Sequence, residues 1–402
     1  MSRALGGAGP RALESAELQR ALAWSSVVLL YVGEMRVPVQ QSELYLPAAV
    51  VPLAALAALR ARGGTLCMPS PAWALAGVLA AAAVATAASE WVGPRRGAAA
   101  TVPVAVAMLG VVALAGVDDL ARVVRSAVAW GGALLSAWVL ALAAVGLADA
   151  LSWPDWKQAI ETPLGRSNFL AAFLLFFVAT VWGRSRGLVA LGVLAMVCTL
   201  SRGGLIALVL FLLLQRLARV PGRAERAAVA VIVAGLLAVA AASWPRGEAR
   251  APLRPEFDGS LPAAAVHALA SPASVANRVR LWQAAHTMIA DSPWLGAGPN
   301  GFRSRVELDR TLEDVWGPHN AVMLLWLNYG LAGLVAYLAW LLAVLRAVDR
   351  ARSRAGGAQA CAWPPALHAL LAFALIEPLV GSASFELLLA VCCAAGLAGG
   401  RR

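Results

Sequence analysis

Apolar residues gather in runs of spanning or near-spanning length at about 21–33, 44–59, 72–88, 99–117, 127–148, 167–182, 187–200, 203–214, 227–243, 319–345, 364–380 and 383–398. A helix needs about 20 apolar residues to cross a hydrocarbon core roughly 30 Å thick. The pattern therefore predicts an all-α polytopic membrane protein of about twelve transmembrane helices. One stretch needs a decision. Gly187 to Leu214 is a single 28-residue apolar run interrupted by Ser201-Arg202-Gly203-Gly204. As one helix it would be roughly 42 Å long at 1.5 Å per residue, and Arg202 would sit near mid-membrane at a cost of several kcal/mol. As two short helices it turns at Ser201–Gly204 and puts Arg202 at a membrane face.

The charge pattern decides between them, because short cytoplasmic loops carry the arginines. With two helices and the N-terminus inside, Arg60/Arg62, Arg122/Arg125, Arg184/Arg186, Arg216 to Arg226, Arg346 to Arg354 and Arg401-Arg402 all fall on the cytoplasmic side, with Arg95-Arg96 the clearest exception. One helix would reverse the later loops. The chain then divides into helices over 1–243, a long external loop over 244–318 and the last helices over 319–402. The loop is rich in Pro, Ala and Gly to about Ser274. Beyond it, Val275, Val279, Trp282, Ala285 and Ile289 recur at helical spacing and predict an amphipathic helix lying on the membrane surface. A turn cluster follows over Ser292–Phe302.

Composition agrees with a membrane class: 60% of the 402 residues are hydrophobic and 14% charged. The net charge of +11 lies in loop arginines that set topology, so it does not indicate a nucleic-acid partner. Cys67, Cys198, Cys361, Cys392 and Cys393 show no CxxC spacing and imply neither a disulfide framework nor a zinc site. Met1 to Arg20 lacks a compact signal peptide with a cleavage site, so the first apolar run is expected to stay as an anchor.

Few residues offer chemistry. Gly296-Ala297-Gly298-Pro299-Asn300-Gly301 spells GxGxxG, but no strand precedes it and no crossover follows, so it reads as a tight turn rather than a dinucleotide site. His319, in Gly317-Pro318-His319-Asn320 at the start of a long helix, can act as a general base at neutral pH; a helix-start histidine bonded to backbone would explain it as well. Arg202 and Arg278 would give two guanidiniums at one membrane face, planar forks suited to a pyrophosphate. Arg280 and Arg303 are further candidates; each arginine taken singly also fits a snorkelling interfacial side chain. Glu377, before Pro378, is an intramembrane carboxylate, which marks a functional site or an ion pair with an arginine. Asp118-Asp119 and Glu313-Asp314 do not form a metal-binding pattern, and no cofactor is implied.

Three motifs in order carry a family resemblance: Thr199-Leu200-Ser201-Arg202-Gly203-Gly204; Asn277-Arg278-Val279-Arg280-Leu281-Trp282 leading to Ser292-Pro293-Trp294-Leu295-Gly296-Ala297-Gly298; and Pro318-His319-Asn320 with Trp326, Tyr329-Gly330-Leu331 and Gly333. Together they resemble the O-antigen ligase and polymerase superfamily of bacterial membrane glycosyltransferases. The resemblance implies a GT-C-like helical fold in the inner membrane and a site facing the periplasm. It implies an undecaprenyl-pyrophosphate-linked glycan as donor and lipid A-core or another glycan as acceptor, with inversion and without metal. By motif, Arg202 and Arg278 would hold the pyrophosphate, and His319, beside Asn320, would activate the acceptor hydroxyl. A ligase is favoured over a repeat-unit polymerase by the long external loop. A reading of another class is a transporter or lipid-linked saccharide flippase, in which Glu377, Asn168 and Arg202 line a passage; the grouping of polar residues at one face and the lack of an internal repeat argue against it.

Overall fold

The computed structural model describes residues 10–32, 36–39, 42–45, 68–90, 92, 94–115, 117, 119–148, 160, 167–218, 226–227, 230–231, 234–235, 272–309, 317–354, 363–375, 377, 379–380 and 382–398. In it the 187–214 run is two helices, α6 (Arg186–Cys198) and α7 (Arg202–Leu217). They follow α1 (Pro10–Val32), α2 (Ser70–Ala88), α3 (Pro94–Leu114), α4 (Leu120–Ala148) and α5 (Ser167–Val181), and precede α8 (Pro272–Asp291), α9 (Gly301–Asp309), α10 (Ala321–Arg354), α11 (Trp363–Ala374) and α12 (Ala383–Ala398). Most of the expected runs at 44–59 and 227–243 and the loop over 244–271 lie outside the described residues, as do Asp118 and Glu313-Asp314.

Four of these helices are long and apolar enough to cross a membrane: Ser70–Ala88, Gly97–Leu114, Leu120–Ala148 and Ala321–Ala351. Shorter apolar helices stand beside them at Ser167–Val181, Arg186–Cys198 and Ser384–Ala398. Their outward faces are apolar. On α4, Trp130, Leu134 and Trp138 recur every four residues and are 62%, 62% and 44% exposed, and on α7 Ile206, Val209 and Leu213 are more than half exposed. Stripes of that size suit lipid, not water, and the chain is a multi-pass membrane protein.

Packing is helix on helix around one apolar core. α10 runs along α2 and α12, α12 along α3, α1 along α4, and α4 against α5 and α6. The other corner is formed by α5 and α11 around α7, with α8 laid on α10.

Three features differ from the sequence expectation. The described residues are not wholly helical, since β1 (Arg36–Val39) and β2 (Ser42–Tyr45) pair antiparallel, Arg36 opposite Tyr45 and Val39 opposite Ser42. Val37, Val39 and Tyr45 favour strand, and Pro38 is tolerated because both strands of a two-stranded sheet are edges. Next, the long helix expected from residue 319 is broken: Gly330 takes φ 65° and ψ −175° inside α10. Finally, the apolar face of α8 does not lie open to a membrane surface. Leu281, Trp282, Ala285, Met288 and Ile289 are buried in a cluster with Met323 and Leu327 of α10. Amphipathicity shows that a helix covers something apolar, and here the covering partner is protein.

Candidate functional site

Each of the three motifs ends a helix or begins one, and the caps explain how. In the first, α6 stops because Leu200 takes a left-handed φ of 51°, and the Thr199 hydroxyl donates to the Met196 carbonyl at 2.7 Å. Ser201 then caps α7, its Oγ accepting from Gly204 N at 3.1 Å. The same hydroxyl donates to Asn168 Oδ1 of α5 at 2.7 Å. Arg202 is thereby fixed as the first residue of α7.

The third motif works in a similar way. Asn320 is fully buried and caps α10, with Oδ1 accepting from Met323 N at 2.9 Å. Its Nδ2 donates to the Leu375 carbonyl at 2.7 Å, just past α11. One side chain thus starts α10 and ties the residue just past α11 to that helix start. His319, one residue earlier, is held at φ 48°, a left-handed conformation uncommon for a non-glycine residue. Such outliers persist only where the surroundings over-determine them.

The cap at Asn320 sets up the central contact. Glu377, in the turn between α11 and α12, is 2% exposed. One carboxylate oxygen, Oε1, takes a charge-assisted hydrogen bond from Arg278 Nη2 of α8. The other, Oε2, lies 3.3 Å from His319 Nδ1. The Arg278 and His319 side chains are 26% and 35% exposed, so a buried carboxylate stands behind two cation-forming groups that open outward. Arg202 is close enough to Arg278 and Glu377 for both to act on its charge. Three residues from α8, the start of α10 and the segment after α11 therefore meet in one place, with Arg202 of α7 within electrostatic range of them.

The second motif ends in a turn that closes the other end of α8, thirteen residues beyond Arg278. Ser292–Gly301 is a tight turn, as its spelling implied, with Gly296, Gly298 and Asn300 all at positive φ. It is fastened to the break in α10: Ala297 N donates to the Leu327 carbonyl at 2.7 Å, and Pro293 O accepts from Trp326 Nε1 at 2.7 Å and Leu331 N at 3.2 Å. A Cβ on Gly330 would collide with the Trp294 carbonyl, and one on Gly296 with the Leu327 carbonyl. The two backbones touch because both residues are glycine.

The remaining candidates fall elsewhere. Arg280 lies two residues beyond Arg278, about 200° round the helix at 100° per residue, and is half-buried. Arg303 is exposed on α9. His368 is buried in α11 with Nδ1 2.7 Å from the Pro364 carbonyl, a backbone-satisfied histidine. Glu377 was legible as an unusual acid, but its link to His319 was not. The usable signal was the pairing of two isolated polar islands, Pro318-His319-Asn320 and Glu377-Pro378, each beside an apolar run.

No curated protein matches the chain. The family model described as O-antigen ligase matches residues 187–338, a stretch that holds Arg202, Arg278 and His319 and ends before Glu377, and over that stretch the chain is similar to the O-antigen ligase family.

Proposed function

We propose that this protein is an inverting, metal-independent membrane glycosyltransferase of the O-antigen ligase type. It moves a glycan from undecaprenyl-pyrophosphate to a hydroxyl of lipid A-core, or of another acceptor, at the periplasmic face of the bacterial inner membrane. The observation that carries this reading is the meeting of Arg278, His319 and Glu377, with Arg202 within electrostatic range, in a bundle of apolar helices. Guanidinium forks suit an anion of several close oxygens. An imidazole held at the same place suits proton removal from an incoming hydroxyl. The long connection 244–318 belongs to the same external face in this reading.

The chemistry is a single displacement. The acceptor oxygen bonds to the anomeric carbon from the side opposite the leaving group, and the bond from that carbon to the pyrophosphate oxygen breaks. His319 takes the hydroxyl proton on its Nε2. Arg202 and Arg278 neutralise the charge that develops on the departing undecaprenyl pyrophosphate. Polymerisation of repeat units is the nearest alternative, since it differs only in acceptor. The break in α10 is a feature that a transporter would share, because transporters use interrupted helices at their binding sites.

The test is glycan transfer by purified protein in detergent, from an undecaprenyl-pyrophosphate saccharide with lipid A-core added and no metal supplied. His319→Ala in a folded protein is expected to lose about 10²–10⁴-fold in rate. A single shifted band means a ligase and a ladder a polymerase. Absence of product from wild type with any donor and acceptor would favour transport.

A further inference from the structure

We infer that Glu377 is a positioning residue that fixes the His319 tautomer, with the proton on Nδ1 and the lone pair on Nε2, and that Arg278 is what holds it to that task. The inference rests on the reading of His319 as the base; the residue itself lies outside the family match, which stops at 338.

The argument begins with donors and acceptors. A guanidinium has only donors, and an ionised carboxylate only acceptors. Arg278 engages Oε1 as an ion pair, so the carboxylate it meets is the charged form. Oε2 is left to face His319 Nδ1 at 3.3 Å. That nitrogen must then carry the hydrogen, and Nε2 keeps its lone pair. The side chain is 35% exposed while the carboxylate behind its Nδ1 is only 3% exposed, so the ring opens away from Glu377. A base needs that arrangement: lone pair outward, ring clamped from behind.

The backbone supports the same conclusion. His319 is held at φ 48°, and the cap at Asn320 fastens the adjoining Leu375 carbonyl to the helix start. Imidazole and carboxylate are thus brought together from two elements by a hydrogen bond that neither of them makes. The charged groups that act on this corner are Arg278 from α8, Arg202 from α7 and Glu377 from the α11–α12 turn.

The isosteric variant Glu377→Gln separates positioning from mere packing. Arg278 can only donate, so it will take the Gln carbonyl oxygen and turn the amide nitrogen toward His319. Nδ1 must then accept, and the ring proton moves to Nε2, where it blocks proton uptake. Shape and hydrogen bonding survive while the tautomer reverses.

The experiment has two arms on the full-length protein in detergent. In the first, nitrogen-15 spectra of histidine-labelled wild type and Glu377→Gln are recorded at alkaline pH, where the ring is neutral, with His319 assigned by its loss in His319→Gln. Wild type is expected to show Nδ1–H and Glu377→Gln to show Nε2–H. In the second, transfer kinetics are expected to show kcat lower by about 10²–10⁴-fold, the scale of a reversed tautomer behind a catalytic histidine. KM for the donor is expected to change by less than about threefold, since Arg278 keeps an acceptor and its place. Glu377→Asp, which retains the charge at shorter reach, should recover part of kcat. An unchanged His319 spectrum in Glu377→Gln, or wild-type kcat in that variant, overturns the inference. Should wild type transfer nothing, the proposed function is what fails, and the spectra alone decide whether Glu377 sets the tautomer.

Discussion

Glu377 and Glu386 are nine residues apart and almost wholly buried, at 2% and 0% exposure, yet they do different work. Glu386 lies in the first turn of α12, where a negative charge complements the helix N-terminus. It accepts from the Tyr337 hydroxyl of α10 at 2.5 Å, an uncharged donor that is itself fully buried. The pair joins two packed helices. Glu377 sits between helices, and its partners Arg278 and His319 come from two further elements and reach outward. Burial of an acid inside a membrane bundle is therefore a poor guide to chemistry. What distinguishes the two is whether the partners can form cations and whether they open to a space where something can bind.

The largest effect that would break this comparison is at Arg278. Arg278→Ala removes both a guanidinium from the anion site and the charge that balances Glu377. Transfer is expected to fall by at least about 10²-fold, the scale seen when a preorganised transition-state donor is lost. Arg278→Lys should fall between, because an ammonium can neutralise the carboxylate but cannot present a fork. Rates near wild type for the alanine variant would make the Glu377 corner as structural as the Glu386 one.

A smaller effect belongs to the 292–301 turn and the break in α10 that it packs on. Gly330→Ala would place a side chain at φ 65° and against the Trp294 carbonyl. At φ 65° and ψ −175° only glycine sits without strain, and a side chain there costs about 1–3 kcal/mol before any collision, so a loss of about 2–4 kcal/mol in detergent unfolding is expected, with strain of this kind among the recognised causes of large mutational effects. Unaltered stability would mean that the 292–301 turn does not depend on the break in α10.

Much of this was readable in advance, and the gaps share a cause. The turn at Ser201–Gly204 was legible because an arginine in a long apolar run has only one inexpensive place to be. Arg278 and His319 were legible as members of short motifs. The Gly330 break was not, since Tyr329-Gly330-Leu331 continues an apolar pattern and a lone glycine in a helix carries no sign of its neighbour's backbone. The covering of α8 by α10 was hidden for the same reason: periodicity states that a face is apolar and not what meets it. The bond from His319 to Glu377 spans 58 residues and the one from Arg278 spans 99. Contacts at such separation follow from how helices pack, which local patterns do not encode.

The smallest expected effect sharpens the comparison from its structural side. Tyr337→Phe removes the hydroxyl that Glu386 accepts and leaves the ring, which is fully buried between α10 and α12. A hydrogen bond to a charged group contributes about 1.5–3 kcal/mol and one between neutral groups about 1 kcal/mol. The net loss is expected near the lower figure, about 1 kcal/mol, because the helix N-terminus still faces Glu386 after the hydroxyl is gone. Transfer kinetics should stay at wild-type values, since no part of this pair touches the Arg278 and His319 corner. A drop in kcat without a drop in stability would mean that the two carboxylates are coupled through the start of α12, and that the division between a structural and a chemical acid drawn from their partners is wrong.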